Sequence, residues 1–239
     1  MGKLIIFSGA GLSAESGIAT FRTGQNNLWA NHKIEEVCDI STWKANYDKV
    51  HAFYGERRLE IAKAEPNDAH RKVAEWQSRY ETVIITQNID NLLERAGCQS
   101  VVHLHGYAPN MMCQACGNVW EHGFREWAED DRCKCGSRKG VKPGVVFFGE
   151  MAPQYAVLNK TLTGMTRDDI IVVIGTSGNV VRIGAYLAGV PGMKVLNNLE
   201  PSASVIDREN DEEVYDAIFY EEATKALAKI DNLIRLKLG

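Results

Sequence analysis

Leu4-Ile5-Ile6-Phe7-Ser8-Gly9-Ala10-Gly11-Leu12-Ser13-Ala14 is the stretch from which the rest of this chain is read. Leu4–Phe7 predicts a buried strand, and the pattern G-x-G-x-x-A follows it at a predicted helix start. Glycines there permit a tight turn and the close approach of a pyrophosphate, whose charge a helix N-terminus favours. A strand–helix turn that only needs positive φ uses the same residues. A hydride-transfer enzyme places a second strand with a terminal acid about 20 residues further on. This chain has the polar run Gly24-Gln25-Asn26-Asn27-Leu28-Trp29 there, so a bound nucleotide is held in another way.

Outward from that turn, strands are predicted at Val83–Thr86, Val101–Leu104, Val145–Phe148, Ile170–Ile174 and Lys194–Leu196. They are short and mostly β-branched or aromatic, as in a parallel sheet covered on both faces. Asp68–Arg79 places Ala69, Val73 and Trp76 at helical spacing, and Glu212–Leu238 predicts a closing helical region with a break near Tyr220–Glu222. The alternation predicts an α/β, doubly wound parallel sheet. Two stretches interrupt it and are expected to be insertions. Thr23–Ala64 opens polar and turns helical around Tyr47–Ala64, while Cys113–Val141 is rich in Cys, Gly and charge.

A chain of 239 residues suits one large domain, or one carrying a smaller insert. Net charge is −4, which leaves no general basic footprint and excludes nucleic acid as an expected partner. No stretch approaches the roughly 20 apolar residues of a membrane span. Met1–Ala10 runs straight into a strand and a glycine turn, so it reads as structure and not as a signal peptide. A cytoplasmic, reducing location is therefore expected, and with it six cysteines that do not form a disulfide framework.

Gln87-Asn88-Ile89-Asp90 follows strand Val83–Thr86 directly, at the carboxyl edge where open α/β sheets bind ligands. Its polar groups suit an amide, a ribose or a water, and equally an Asx turn with a helix cap. His103-Leu104-His105-Gly106 ends the next strand. His105, beside a glycine, can reach a cleft and act as a general base near neutral pH; His103 reads as a satisfied polar residue at the sheet end.

Cys113-Gln114-Ala115-Cys116 and Cys133-Lys134-Cys135 are separated by sixteen residues, and a glycine follows each pair. Four thiolates in two close pairs satisfy tetrahedral zinc, and four thiolates leave no open position, so the metal is expected to be structural. The acids Glu129, Asp130 and Asp131 among the nearby bases argue against a nucleic-acid ribbon. Cys38 and Cys98 have no partner by spacing and read as ordinary small residues.

Together these segments resemble the sirtuins, the NAD-dependent protein deacylases. The resemblance runs through Gly9–Ile18, Thr20-Phe21-Arg22, Thr86–Asp90, His103–Gly106, the cysteine quartet, Val145–Glu150, Gly175-Thr176-Ser177 and Asn198-Leu199-Glu200, in the family's order across nearly the whole chain. It implies a large Rossmann-like part (1–30, 66–106 and 145–239) and a small domain from the insertions 31–65 and 107–144, the latter carrying the zinc module. NAD lies between them by the same likeness. Gly9, Ala10, Gly11, Ser13, Ala14, Glu15, Thr20, Phe21, Arg22 and Trp29 then surround the pyrophosphate and nicotinamide ribose. Gln87, Asn88, Ile89 and Asp90 line the ribose and nicotinamide pocket, and Gly175, Thr176, Ser177, Asn198, Leu199, Glu200 and Ala223 hold the adenosine side.

The implied catalytic residues are His105, Asn88 and Asp90. The acyl oxygen of an acylated lysine attacks the ribose carbon as nicotinamide leaves, and His105 is base towards a ribose hydroxyl. Lysine, nicotinamide and 2'-O-acyl-ADP-ribose result. Val146, Phe147, Phe148, Gly149 and Glu150 pair with the substrate peptide as an added strand. A monomer acting on acylated proteins or peptides is expected.

Phe53-Tyr54-Gly55-Glu56-Arg57-Arg58 bears on the acyl group. Tyr54 and Arg57 are three apart on a predicted helix and share a face, where a phenol beside a guanidinium can bind a carboxylate. A solvated helix face with one aromatic anchor has the same spacing. The pair resembles the Tyr-x-x-Arg motif of the sirtuin branch that removes succinyl, malonyl and glutaryl groups. Departures from the family are Leu93, where that branch often has histidine, and Val181-Arg182, where relatives have Tyr-Pro; Arg182 is expected near the adenosine or phosphate. Two other functions fit less of the sequence: a sirtuin-like NAD hydrolase or ADP-ribosyltransferase, and a non-catalytic NAD-sensing or zinc-ribbon module.

Overall fold

In the computed structural model, which describes residues 2–19, 33–202 and 214–239, the elements follow in this chain order. They are β1 (Leu4–Ser8), α1 (Gly11–Ala14), α2 (Ile34–Val37), α3 (Tyr47–Lys63), α4 (Asp68–Arg79), β2 (Thr82–Thr86), α5 (Leu92–Arg95), β3 (Val102–His103), β4 (Gly106–Cys113), β5 (Val119–Glu121), β6 (Val141–Val145), α6 (Tyr155–Thr163), β7 (Ile170–Ile174), α7 (Ile183–Leu187), β8 (Met193–Asn198), β9 (Ala217–Tyr220) and α8 (Ala223–Leu238).

All five residues of β1 are buried, which an apolar strand tolerates when both faces of its sheet are covered. It pairs in parallel with β2 on one side (Leu4 opposite Thr82) and β7 on the other (Leu4 opposite Ile170). The six-stranded parallel sheet runs β3-β2-β1-β7-β8-β9. On one face Ala69, Val73 and Trp76 of α4 and Ala226, Ile230 and Ile234 of α8 pack against Leu4, Ile6, Val172 and Val195. On the other, Leu158 and Leu162 of α6 and Ile183 and Leu187 of α7 cover Ile5, Phe7, Ile171 and Val173. Helices on both faces make this the expected doubly wound, Rossmann-like α/β sheet.

Local chemistry sets several boundaries. Asn67 caps α4, its side chain accepting from the amides of Ala69 (2.9 Å) and His70 (3.3 Å). Trp76, fully buried, donates its indole N–H to Asp231 at 2.9 Å and so ties α4 to α8.

A smaller antiparallel sheet, β5-β4-β6, holds Cys113 at the end of β4 and the other three cysteines in its connections, and Met111 and Val141 cluster with Cys113 and Cys133. Beside it, Val37, Trp43, Tyr47, Val50, Phe53 and Tyr54 build a separate core against Val145 and Phe147. Among the described residues no helix is long and apolar enough to cross a membrane.

Two sequence expectations need correction. Val145–Phe148 is not a strand of the parallel sheet: β6 ends at Val145 in the antiparallel sheet, and Val146–Phe148 continues as an arch. The run is apolar because Phe147 enters the smaller core, not because both faces are sheet-covered. Ala217–Tyr220 is an edge strand paired with β8, not part of a closing helix; four apolar residues are too short for periodicity to separate strand from helix. Cys113–Val141 contains β5 and the start of β6, paired to β4.

The turns after β1 and β7 meet backbone to backbone. Gly11 donates its amide to the Gly175 carbonyl at 2.8 Å. A Cβ on Gly175, where φ is +65°, would stand 2.5 Å from the Leu12 nitrogen and 2.6 Å from the Gly11 carbonyl carbon. Neither obstacle is a movable side chain. Gly175→Ala is therefore expected to destabilise the chain by more than ~2 kcal/mol, from strain and overpacking together, read as a lower urea midpoint at unchanged slope.

Candidate active site

The parallel sheet reverses its strand order at β1, with β2 on one side and β7 on the other. The loops leaving β1, β2, β7 and β8 open at their carboxyl ends into one cavity of about 810 Å³, in the range of small-molecule sites. Its lining includes Gly9, Ala10, Gly11, Ser13, Gln87, Asn88, Ile89, Asp90, His105, Gly175, Thr176, Ser177, Asn198, Leu199 and Glu200 from the parallel-sheet side. Tyr54, Arg57 and the arch residues Val146, Phe147, Phe148, Gly149 and Glu150 line its other end. Ala14, Glu15 and Ala223 are not among the lining residues; Glu15 instead accepts from the Thr224 amide and hydroxyl at the start of α8 (3.1 and 2.5 Å). Thr20, Phe21, Arg22 and Trp29 lie outside the described residues.

The glycine turn differs from its sequence reading in one respect. α1 is a single turn, and the amides of Gly11, Leu12 and Ser13 are bonded to the carbonyls of Gly175, Gly9 and Ala10. A macrodipole summed over many peptides is not available there. What the glycines provide is a bare backbone surface at the cavity wall.

The loop after β2 is cross-braced. Gln87 donates through its side-chain amide to Thr176 Oγ1 (2.8 Å), joining the β2 and β7 loops. Asn88 Nδ2 donates to Ser13 Oγ (3.1 Å), and Ser13 Oγ donates to Asp90 Oδ2 (2.9 Å). Asp90 also accepts the Leu92 amide at 3.0 Å. Burial raises its carboxyl pKa, with these two donors opposing the rise. Thr176 and Asn198 exchange two bonds, Thr176 N–H to Asn198 Oδ1 (2.9 Å) and Asn198 Nδ2 to Thr176 O (2.8 Å). The sites on four strands are thereby held as one unit.

His105 follows β3. Its Nδ1 is 3.1 Å from the Gln87 carbonyl and its Nε2 is 3.0 Å from the Tyr155 hydroxyl. Burial lowers its pKa below the ordinary imidazole value, with the Gln87 carbonyl opposing. Burial therefore favours the neutral ring, the form that can accept a proton. His103 is engaged at both nitrogens, by the Asn88 carbonyl and Glu94 (2.7 Å each). Burial pulls its pKa down, and Glu94 outweighs burial to leave it raised.

At the far end Tyr54, buried, donates its hydroxyl to Cys38 Sγ at 3.4 Å and stacks on Phe147 with centroids 5.8 Å apart. Arg57 holds Glu60 at 2.6 Å and lies over the Phe53 ring, 5.3 Å from its centroid. Its Nε is buried without an acceptor among the described residues. The arch is pinned on both sides: Val146 N–H donates to His105 O, Phe148 N–H to Cys38 O and Ile40 N–H to Phe148 O. Phe147 N–H donates to Glu150 Oε2 (2.7 Å), which also meets the buried Lys142 ammonium at 2.9 Å.

Sequence reasoning missed Cys38, Glu60 and Tyr155, all of which line the cavity. None stands in a motif, and each arrives by a long-range fold contact. Leu93, one of the family departures, is simply core on the α4 face, and Arg182 is exposed at the start of α7, not among the cavity's lining residues.

The four sulfurs of Cys113, Cys116, Cys133 and Cys135 lie within 4.8 Å of one another, with Cys113–Cys135 at 3.7 Å and Cys116–Cys133 at 3.5 Å. Zinc–sulfur bonds of about 2.3 Å make a tetrahedron with edges of about 3.8 Å, so the donor set fits zinc. None of the four lines the cavity, which fits a structural and not a catalytic metal.

Residues 9–182 match the Sir2 family. The chain is 39% identical to an NAD-dependent protein deacylase of Helicobacter hepaticus, over 97% of this chain and 96% of that protein. It is 37% identical to the NAD-dependent protein deacylase Sir2 of Mycolicibacterium smegmatis, over 87% of this chain and 91% of that one. Among solved structures, a Sir2 homolog–NAD complex superimposes with a TM-score of 0.81 at 31% identity, covering 99% of this chain and 91% of that chain. An α/β sheet with a switch-point cavity and a four-cysteine module defines the class, and the chain belongs to the Sir2 family, the sirtuins.

Two outcomes are expected. Because burial depresses the His105 pKa, the base form persists below the ordinary value of about 6.5, and the acid limb of kcat/KM should inflect below that pH; an inflection above it would mean a charged ring in the free enzyme. Purified protein should carry one zinc per chain by elemental analysis, and Cys133→Ser should lose the metal and melt at lower temperature.

Proposed function

We propose that this chain removes acyl groups, succinyl and malonyl with acetyl beside them, from lysine side chains of proteins or peptides, yielding nicotinamide and 2'-O-acyl-ADP-ribose. The chain is an NAD-dependent protein deacylase: relatives so named match it over nearly their whole length.

NAD, as co-substrate, supplies the electrophilic ribose carbon when its nicotinamide leaves. The chain's own residues orient and protect that centre. Gly9–Gly11 offers a close backbone approach to the diphosphate, and Gly175–Ser177 and Asn198–Glu200 face the adenosine side. Gln87, Asn88 and Asp90, cross-braced through Ser13 and Thr176, orient the nicotinamide and its ribose. His105 takes a proton from a ribose hydroxyl at Nε2, the nitrogen facing away from the Gln87 carbonyl. Removing water from this pocket protects a cationic sugar.

The arch receives the substrate peptide. The amides of Val146, Phe147, Phe148 and Glu150 and the carbonyls of Phe147 and Phe148 are already engaged, so an added strand is held chiefly through the remaining carbonyls and the Gly149 amide. Backbone-only contacts of this kind read little sequence. With 31–65 and 107–144 taken as the small domain, the acyl group would lie against the smaller core.

The observation that carries the acyl preference is Arg57, which lines the same cavity as His105 and keeps a buried Nε without an acceptor among the described residues. A distal carboxylate supplies that acceptor in bidentate form. Tyr54 then exchanges a weak sulfur acceptor for an oxygen, and Glu60 yields its place on the guanidinium. In a comparison of succinyl-lysine and acetyl-lysine peptides with and without NAD, the wild type should clear succinyl faster. Arg57→Met should lose about 10- to 100-fold of kcat/KM on succinyl, the worth of a charged hydrogen bond, and keep acetyl turnover. If neither peptide reacts while NAD is cleaved, an NAD hydrolase or ADP-ribosyltransferase takes its place.

A further inference from the structure

The Tyr155 hydroxyl lies 3.0 Å from Nε2 of His105, and the direction of that bond follows from the other side of the ring. Nδ1 faces the Gln87 carbonyl at 3.1 Å, and a carbonyl can only accept, so Nδ1 carries the proton. In the neutral ring Nε2 then bears the lone pair. The phenol, whose pKa burial raises, keeps its proton and donates to that lone pair. The nitrogen that serves as base is therefore capped by a side chain of the same cavity. Tyr155 is the first residue of α6, directly beyond the arch, and its ring is tilted 34° to the imidazole with centroids 6.1 Å apart. No face-to-face stack locks it against His105.

We propose that Tyr155 is a positioning residue that caps Nε2 of His105 in the ligand-free enzyme and gives up that place to the ribose hydroxyl, so that binding the ADP-ribosyl group breaks one Tyr155–His105 hydrogen bond. This rests on His105 being the general base. The cap holds the imidazole in the reactive tautomer and keeps other donors off Nε2 between turnovers. Its cost falls on nucleotide affinity.

The test is a calorimetric titration of the zinc-loaded enzyme with ADP-ribose, for wild type, Tyr155→Phe, His105→Ala and the double variant. Tyr155→Phe keeps the ring and should bind ADP-ribose ~2- to 10-fold tighter, the range of one net hydrogen bond. The same substitution should change nothing in the His105→Ala background. Weaker or unchanged binding in Tyr155→Phe, or an equal gain without His105, overturns the cap. A second reading needs no affinity difference: in ¹⁵N spectra of the ligand-free enzyme, the His105 Nε2 resonance should move in Tyr155→Phe towards that of a lone pair without a donor, and a resonance that stays in place overturns the cap as well. Deacylation by His105→Ala is a separate arm. Full turnover there removes His105 as base, whereas the titration reports the cap alone.

Discussion

Two turns touching without side chains between them set the geometry of this molecule. Gly9 and Gly11 after β1 press on the backbone at Gly175 after β7, where a Cβ on Gly9 or Gly11 would fall 2.6–2.7 Å from Gly175 atoms. This contact brings the carboxyl ends of the two central strands close enough for one ligand to span them. Everything that lines the cavity from the parallel-sheet side is hung from that junction: Gln87 reaches Thr176 across it, and Asn198 locks Thr176 from the next strand. In a sheet whose two central strands, β1 and β7, are wholly buried, the loops are where polar chemistry can be placed, and here they brace each other instead of facing water singly.

The smaller core meets this frame along the arch. A buried ammonium, Lys142, is tolerated because Glu150 and the carbonyls of Pro143 and Val145 surround it, at 2.9, 3.2 and 2.5 Å. Burial lowers its pKa and Glu150 opposes that. Removing Glu150 alone would leave that charge stranded, so the arch's shape depends on both residues. The pair sits behind Phe147, which in turn stacks on Tyr54.

The parts readable from sequence are those where chemistry forces spacing. The thiolate pairs 113/116 and 133/135 read as a metal set because a tetrahedron demands two tight turns, and their sulfurs converge. The strand at β1 and the α4 stripe Ala69-Val73-Trp76 read correctly because a buried strand needs an apolar run and amphipathic packing needs a period. The unreadable parts depend on partners distant in the chain. Val145–Phe148 has the composition of a buried strand, and only the bonds to His105 and Cys38 make its second half an arch. β9 is too short to carry a period. Tyr155 sits fifty residues from His105 in sequence, and nothing local marks it as facing the imidazole. Likewise Glu60 is an ordinary helix-surface acid until the fold turns Arg57 into the cavity.

The bridge between Phe148 and Asp39 joins the arch to the chain that leads into α3, whose Tyr54 and Arg57 line the same cavity. Whatever shifts one shifts the other. A variant selected for a new acyl group would therefore bring altered peptide tolerance with it, and a variant selected for a new peptide would disturb the acyl end. On the proposed reading the two specificities are one heritable trait, to be diversified by changing the 38–57 and 141–150 segments together.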